Sequence, residues 1–459
     1  MAEAKSRRSP PQRATGRPLP HDSARLHVSG TAAYTDDLPE PRDLLHVAIG
    51  MSSKAHARIK SIDFTRVLAA DGVVDICTAR DIPGENNCGP IVHDEKIFND
   101  DIVEYAGHAI FAVAADTVDR ARKAARLVSI DYEELEPILD PMEAVGKESF
   151  VLPSERLQRG DADAALGDAP HRLQRRLDVG GQDQFYLEGH VAMTVHGEDN
   201  TLTVYSSTQH PDEVQHLVAA ATGRSAKDVV CICRRMGGAF GGKESQAATV
   251  ACMTALMADK TGRACKLRLD RDDDMIMTGK RHDFVIDYDV GFDDDGRILG
   301  IRFTFASRCG ISADLSGPVN DRTMFHCDNA YFLDHVDIAS HRCKTNTVSN
   351  TAFRGFGGPQ GMLAIEYAID DIARALGKDP LEVRRANFYG IGERDTTQYG
   401  QRVEDNIIHD IVDKLENDAK YQKRRKTIRN FNARNAILKR GIALTPVKFG
   451  ISFTATHLN

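Results

Sequence analysis

Two glycine-rich segments of the chain carry residue types suited to holding a ligand. The first, residues 235–245, reads R-M-G-G-A-F-G-G-K-E-S, and the second, residues 351–361, reads T-A-F-R-G-F-G-G-P-Q-G. Glycines permit backbone conformations that side chains forbid, so successive N–H groups can face an anion or a polar cofactor. Two Gly/Phe loops, each followed by a predicted helix, favour one cofactor held from two sides. Either loop alone is better explained as a tight turn whose phenylalanines belong to the core.

The first loop also has the outline of a phosphate-binding P-loop. From Gly237 the spacing is G-x-x-x-x-G-K, but Glu244 stands where a P-loop needs Ser or Thr to hold Mg²⁺. Ser245 comes one residue late, so a P-loop NTPase is a weak interpretation. Glu244 is either an acid at the start of the following helix, which the helix dipole favours, or a carboxylate directed at a ligand.

Two other polar segments are ambiguous when taken alone. The run R-D-D-D-M, residues 271–275, lacks the ligand spacing of a metal-binding loop and is predicted as an acidic turn. Arg322, within D-R-T-M-F-H, is most simply a surface or salt-bridged arginine.

Composition narrows the class of protein. The chain has 459 residues, a net charge of −8 and a pI of about 6.1, so it offers no basic field for nucleic acid. No apolar run approaches the length of a membrane span. The nine cysteines include no C-x-x-C pair, which argues against a disulfide framework and a local zinc or iron–sulfur site. We therefore expect a cytoplasmic protein with no nucleic-acid or membrane partner.

The elements that must position the loops alternate between strand and helix patterns. Residues 46–51 and 108–115 have the pattern of buried strands, and residues 116–128 have helical periodicity. The predicted organisation is a polar, disordered tail (1–20), an α/β unit (21–150), a linker (151–170), a longer α/β unit (171–400) and a last segment (401–459). That last segment is predicted as polar helices followed by strand character over residues 440–459, which suggests a chain cut in mid-domain.

Five motifs together carry a family resemblance. S-S-T-Q-H-P, R-R-M-G-G-A-F-G-G-K-E-S, D-R-D-D-D-M-I-M-T-G-K-R-H-D-F, T-A-F-R-G-F-G-G-P-Q-G and F-G-I-S-F-T resemble the molybdenum-binding subunits of bacterial xanthine dehydrogenases, of the xanthine oxidase/aldehyde oxidase superfamily. The resemblance covers nearly the whole chain from about Pro18. It implies a mixed α+β and α/β fold. An a/b-hammerhead domain over 21–150 would precede a first molybdopterin-binding domain over 171–400 and the start of a second over 401–459.

The resemblance also implies a cofactor site. Molybdenum–molybdopterin would bring its own dithiolene, oxo and sulfido ligands, and the protein would not ligate the metal through a side chain. Gln209 would lie beside the molybdenum centre and hydrogen-bond one of its oxygens. Phe240 and Gly241 would contact the cofactor from one loop, and Arg354 would do so from the other.

For the substrate, the resemblance implies a purine, with hypoxanthine and xanthine hydroxylated toward urate. Glu244 would hydrogen-bond the purine, and Arg322 would face its far edge. A fixed guanidinium where negative charge develops lowers the barrier, so both residues are predicted as catalytic. Phe356 and Phe453 would hold the ring, and Thr454 would add a polar contact. The Glu244 and Arg322 pair favours xanthine over aldehydes.

The sequence also departs from the family pattern. In the family, the general-base glutamate and a G-E-M-G-Q-G-like cofactor loop come after F-G-I-S-F-T, and no counterpart follows Asn459. Iron–sulfur clusters and FAD are expected only on a partner subunit, which implies a hetero-oligomer. We therefore expect this chain alone to be inactive. The alternatives are a non-catalytic fragment that only docks on the partner and an aldehyde oxidase-type molybdenum hydroxylase.

Overall fold

The computed structural model describes residues 15–450, so most of the predicted tail and the last nine residues lie outside it. Within that range the strands are β1 (Leu45–Met51), β2 (Ala57–Asp63), β3 (Val73–Thr78), β4 (Ile102–Val103), β5 (Ala109–Ala115), β6 (Ser129–Glu134), β7 (Phe150–Arg159), β8 (His171–Val179), β9 (Val191–His196), β10 (Leu202–Ser206), β11 (Val229–Ile232), β12 (Cys265–Arg268), β13 (Phe284–Phe292), β14 (Ile298–Gly310) and β15 (Val336–Lys344).

The α-helices in the same range are α1 (Ala24–Ser29), α2 (Thr65–Leu68), α3 (Val118–Ala125), α4 (Pro141–Gly146), α5 (Ala162–Asp168), α6 (Pro211–Thr222), α7 (Ala247–Thr261), α8 (Arg271–Met277), α9 (Ser316–His326), α10 (Gly358–Leu376), α11 (Pro380–Asn387), α12 (Ile408–Asp418) and α13 (Tyr421–Arg434). The predicted mixed α/β fold is confirmed. Among these helices, none is long and apolar enough to cross a membrane.

A seven-stranded mixed sheet joins the first and second predicted units. Its order is β11-β10-β9-β12-β1-β5-β3, so four strands from after residue 190 and three from before residue 120 lie side by side in one hydrogen-bonded layer. The central junction is the parallel pairing of β1 with β12, in which Leu45 lies opposite Cys265. One hydrophobic core on this sheet contains residues of both units, such as Ala112 and Ala251.

A second sheet has five strands, in the order β7-β15-β14-β13-β8, and a third has three, in the order β4-β2-β6. Strand β7 and helix α5 occupy most of residues 151–170, the segment predicted as a linker. β7 is an edge strand that pairs with β15 alone and exposes many of its side chains. A strand of this kind is polar, and its composition therefore resembles that of a loop.

Two other local predictions need correction. The predicted acidic turn at 271–275 is the start of helix α8, whose N-cap Asp270 accepts a hydrogen bond from the N–H of Asp273. Acids are common in a first helical turn because the helix dipole stabilises them. The strand predicted to begin at residue 440 is absent from residues 441–450, where the described chain is irregular. Strand propensity alone forms no strand without a pairing partner.

The strands bring the predicted site segments to one edge of the seven-stranded sheet. β10 and β11 are parallel and are joined by helix α6. Their carboxyl ends therefore open at the same edge, where Gln209 follows β10 and the first glycine loop follows β11. The second glycine loop leads into α10, which packs against α9, the helix that carries Arg322.

Candidate functional site

The two glycine loops share one strained backbone conformation. Phe240 and Phe356 both lie in the left-handed region, with φ of 55° and 51°. The glycine after each phenylalanine also has positive φ, 106° at Gly241 and 94° at Gly357. A left-handed phenylalanine is unfavourable, and such residues persist at sites where the surrounding structure holds them. The repeated F-G-G sequence therefore has the same local structure twice.

The loops are also in direct contact. The carbonyl oxygen of Phe240 accepts a hydrogen bond from the N–H of Arg354 at 2.9 Å. A Cβ on Gly241 would lie 2.7 Å from the carbonyl oxygen of Ala352, so this position has room for glycine only. Gln184 donates from Nε2 to the same Ala352 oxygen at 2.8 Å. The two loops thus form a single surface.

Several hydrogen-bond donors on this surface are not used by other described residues. The side-chain oxygen of Gln209 accepts from the N–H of Gly241 at 2.8 Å, and the NH₂ group of this exposed residue has no acceptor within the described residues. The backbone N–H groups of Gly238, Ala239 and Phe240 have no acceptor within the described residues. The Phe240 ring beside them is 48% exposed. Donors next to an exposed aromatic ring suit a polar ligand with a flat face.

The lysine of the first loop points away from that surface. Lys243 is fully buried, and its Nζ donates to the carbonyl oxygen of Glu188 at 2.7 Å and to Ser207 Oγ at 2.8 Å. The Glu188 carboxylate lies 3.3 Å from Nζ and accepts from the N–H of Gly237 at 2.8 Å. A P-loop lysine must reach the phosphates. Lys243 cannot, so the structure excludes a P-loop here.

Glu244 precedes helix α7 by three residues, so it does not begin the helix as local sequence allowed. Its side chain is half-buried. Burial, with a smaller contribution from the nearby charge of Asp314, raises the pKa of Glu244 to about 7. A carboxyl group with this pKa can either donate or accept a hydrogen bond near neutral pH.

Arg322 is a buried arginine and not the surface arginine that its local sequence suggested. It is 5% exposed, and its guanidinium lies over the rings of Phe356, at 5.8 Å, and Phe449, at 5.1 Å. Its Nη1 donates to the carbonyl oxygen of Gly450 at 2.7 Å, and burial lowers its pKa. Phe453 and Thr454 lie outside the described residues.

Sequence comparison decides the family. The molybdopterin cofactor-binding domain family matches residues 146–388, more than half of the chain. The a/b-hammerhead domain of aldehyde oxidase and xanthine dehydrogenase matches residues 29–136. The chain belongs to the molybdopterin cofactor-binding domain family.

Related proteins agree with this membership. Xanthine dehydrogenase/oxidase of Gallus gallus is 42% identical over 97% of this chain and 32% of its own length. Xanthine dehydrogenase of Oryza sativa is 42% identical over 97% of this chain and 33% of its own length. The chain thus spans about a third of the length of these curated relatives. They are eukaryotic, so the narrower expectation of a bacterial type stays a prediction.

A solved structure shows the same fold. The aldehyde oxidoreductase from Desulfovibrio gigas superposes with a TM-score of 0.84 at 28% identity, covering 90% of this chain and 47% of its own. Quinoline 2-oxidoreductase from Pseudomonas putida, at 22% identity, shares the fold with a TM-score of 0.80. The hammerhead and molybdopterin-binding domains expected from the motifs are therefore present. The exact predicted domain limits stay predictions.

The residues of the joined loops fit molybdopterin. Within residues 15–450, no cluster of three His, Cys, Asp or Glu side chains could hold a metal ion directly. The surface instead offers backbone donors, the NH₂ group of Gln209 and the exposed ring of Phe240. Such a surface suits a group that carries its own metal ligands and is held through its polar periphery.

Supporting residues were missed at the sequence level. Arg281 is 9% exposed, stacks 4.0 Å over the ring of Phe353 and donates to the carbonyl oxygen of Arg354 at 2.9 Å. It therefore shapes the second loop from beneath. Arg281 lies within one of the five motifs, but nothing local distinguishes it from Lys280 beside it. Lys243 could have been identified from its position directly after the last glycine of the first loop.

Proposed function

We propose that this chain is the molybdenum-cofactor-binding part of a xanthine dehydrogenase-type molybdenum hydroxylase. The observation that carries the proposal is the joined pair of F-G-G loops, which offer backbone donors without acceptors in the described chain beside an exposed aromatic ring. The resemblance to xanthine dehydrogenases over 97% of the chain supports the same class.

The cofactor would be held between the two loops. Gln209 would donate its free NH₂ group to an oxygen of the molybdenum centre, because its side-chain oxygen is already engaged by Gly241. Phe240 and Gly241 would contact the group from the first loop and Arg354 from the second. When bound, molybdenum–molybdopterin with oxo and sulfido ligands supplies the two-electron oxidation of the substrate carbon.

The substrate would be a purine, held between Glu244 and Arg322. Glu244 near its pKa can match either a ring nitrogen or a carbonyl oxygen. The Arg322 guanidinium, packed over Phe356, is oriented before the substrate arrives. Fixed positive charge placed where negative charge develops contributes more than mobile charge, because no reorganisation is needed. Phe356 and Phe453 would hold the ring, one stacked and one edge-on, and Thr454 would add a polar contact.

The electron acceptor and the general base would come from elsewhere. We propose a partner subunit carrying iron–sulfur clusters and FAD, in a cytoplasmic hetero-oligomer. The family's general-base glutamate has no proposed counterpart in this sequence, so the chain by itself would not turn over. The alternative is a fragment that only docks on the partner subunit. Oxidation of xanthine by the purified chain alone would contradict both the proposed inactivity and this alternative.

Replacing Arg322 by Met tests the substrate assignment in the assembled enzyme. Losing one fixed donor to the developing charge should lower kcat/KM for xanthine by about 10²–10³. Oxidation of a small aldehyde should change little, because it presents no distant edge to Arg322. Both rates would be measured on enzyme with equal molybdenum content.

A matched control is Arg176→Met, which removes an arginine paired with Asp287 on the second sheet, away from the loops. It should leave both rates unchanged. Undiminished xanthine turnover in Arg322→Met would refute the role of Arg322. Aldehyde turnover with no xanthine turnover in the unmodified enzyme would favour the aldehyde oxidase-type function, which the structural likeness to the Desulfovibrio gigas enzyme also supports.

A further inference from the structure

A single buried aspartate connects the two glycine loops. Asp314 is 3% exposed and lies between β14 and α9. Its carboxylate accepts from Ser245 Oγ at 3.0 Å, from Gln246 Nε2 at 3.0 Å and from Thr351 Oγ1 at 2.9 Å. Ser245 directly follows Glu244, and Thr351 begins the second loop. One side chain therefore contacts both loops at once.

Asp314 also fixes a third element. It has a left-handed backbone, with φ of 36°, in the turn that leads into α9. That helix carries Arg322, and Ser316 at its start accepts or donates a hydrogen bond with His282 at 2.7 Å. The segment that presents Arg322 is thus tied through Asp314 to the segments that present Glu244 and Phe356.

Stability does not explain a carboxylate at this place. Its donors within the described chain are all neutral: two hydroxyls, one amide and the N–H of Leu315. A buried charge without a cationic partner is unfavourable, and an uncharged polar or apolar arrangement of the same shape is usually at least as stable. A carboxylate at this position therefore indicates a role other than stabilisation.

We propose that Asp314 is a positioning residue that holds Glu244 and the second glycine loop at a fixed separation, so that a purine meets Glu244 and Phe356 together. The assignment of the purine rests on the proposed function. The connection of the loops by Asp314 does not, since it is a matter of three hydrogen bonds. The two parts can therefore fail separately.

The charges around Asp314 give the proposal a second readout. Glu244 is faced by Asp314 and by Glu213 of helix α6, which pairs with His210 at 3.2 Å. Asp314 is faced in turn by Glu95, which accepts from Ser312. Of the ionisable groups just named, all are acids except His210. Removing the charge of Asp314 should therefore lower the pKa of Glu244.

Asp314→Asn, compared with Asp371→Asn, tests the proposal in the assembled enzyme. Asp371 is also a buried aspartate, but its partners are Arg175 and Tyr288 on the second sheet and Arg374 on its own helix. Hydrogen exchange of peptides covering residues 240–248 and 349–357 should be about tenfold faster or more in Asp314→Asn, and unchanged in Asp371→Asn. Exchange unchanged in both loops would overturn the proposal.

Kinetics then separate positioning from general destabilisation. In Asp314→Asn, the limb of the pH profile of kcat/KM for xanthine that reports Glu244 should move to lower pH. A purely structural defect would not move this limb. An unmoved limb counts against the proposal. If the unmodified enzyme does not oxidise purines, the proposed function fails, while loop exchange still decides the role of Asp314.

A second pair of variants covers the case in which Asp314→Asn does not fold. Thr351→Val removes the hydroxyl that donates a hydrogen bond to Asp314, and Thr351→Ser retains this hydroxyl. We expect faster exchange of both loop peptides in Thr351→Val and near-normal exchange in Thr351→Ser. Equal exchange in the two variants would overturn the proposal.

Discussion

At the scale of single residues, the site concentrates conformations and charges that a stable fold ordinarily avoids. Phe240 and Phe356 are left-handed, and burial raises the pKa of Glu244. Strained backbone and desolvated ionisable groups cluster at functional sites because the rest of the structure holds them there. The F-G-G repeat is the part of this arrangement that can be recognised from the sequence.

Gly241→Ala tests the contact between the loops. A Cβ at φ 106° would strain the backbone by roughly 1–2 kcal/mol. It would also press on the Ala352 oxygen, and overpacking costs about 1–3 kcal/mol more. Gly262→Ala is the control, because Gly262 has φ 65° and nothing within 4 Å of a built Cβ. Chemical denaturation should show the larger loss in Gly241→Ala, and equal losses would contradict the contact.

At the scale of elements, the first loop depends on a support beneath it. Glu188 holds the loop's start through Gly237, and Lys243 holds its end through Glu188 and Ser207. Parallel β10 and β11 bring Gln209 to the same edge. The glycine motif predicted that the first loop was important. Glu188, which supports this loop, comes from a segment about fifty positions earlier in the chain.

Lys243→Met should destabilise the protein by about 3–5 kcal/mol, because it leaves the Glu188 carboxylate buried without its cationic partner. Adding Glu188→Gln to that variant removes the unpaired charge and should recover part of the loss. Free energies of unfolding from urea titration of the two variants and the unmodified protein give the comparison. No recovery in the double variant would show that packing, and not the charge pair, dominates.

At the scale of the whole molecule, the hammerhead and the molybdopterin-binding region share one sheet. The seven-stranded sheet takes β1, β3 and β5 from the former and β9 to β12 from the latter. They share one hydrophobic core. Strands distant in sequence thus complete each other's hydrogen bonding and burial.

Separate expression of residues 21–150 and 171–450 should therefore give fragments that do not fold independently. Each would expose a bare sheet edge where β1 and β12 pair in the intact chain. We expect aggregation, or loss of cooperative unfolding by circular dichroism, in each fragment. Co-expression should restore soluble protein. A fragment that unfolds cooperatively alone would show that the shared sheet is dispensable.

The sequence by itself determined the family and some of the local structures. Periodicity predicted β1, β5 and α3 to within a few residues, and the glycine motifs identified both loops, because these signals depend on near neighbours in the chain. Only the tertiary structure decided that residues 151–170 are a strand and a helix, that Arg322 is buried and that Asp314 joins the loops. Each of these depends on partners far apart in sequence. A polar strand, a buried arginine and a connecting aspartate have no local pattern that sets them apart from a loop or a surface.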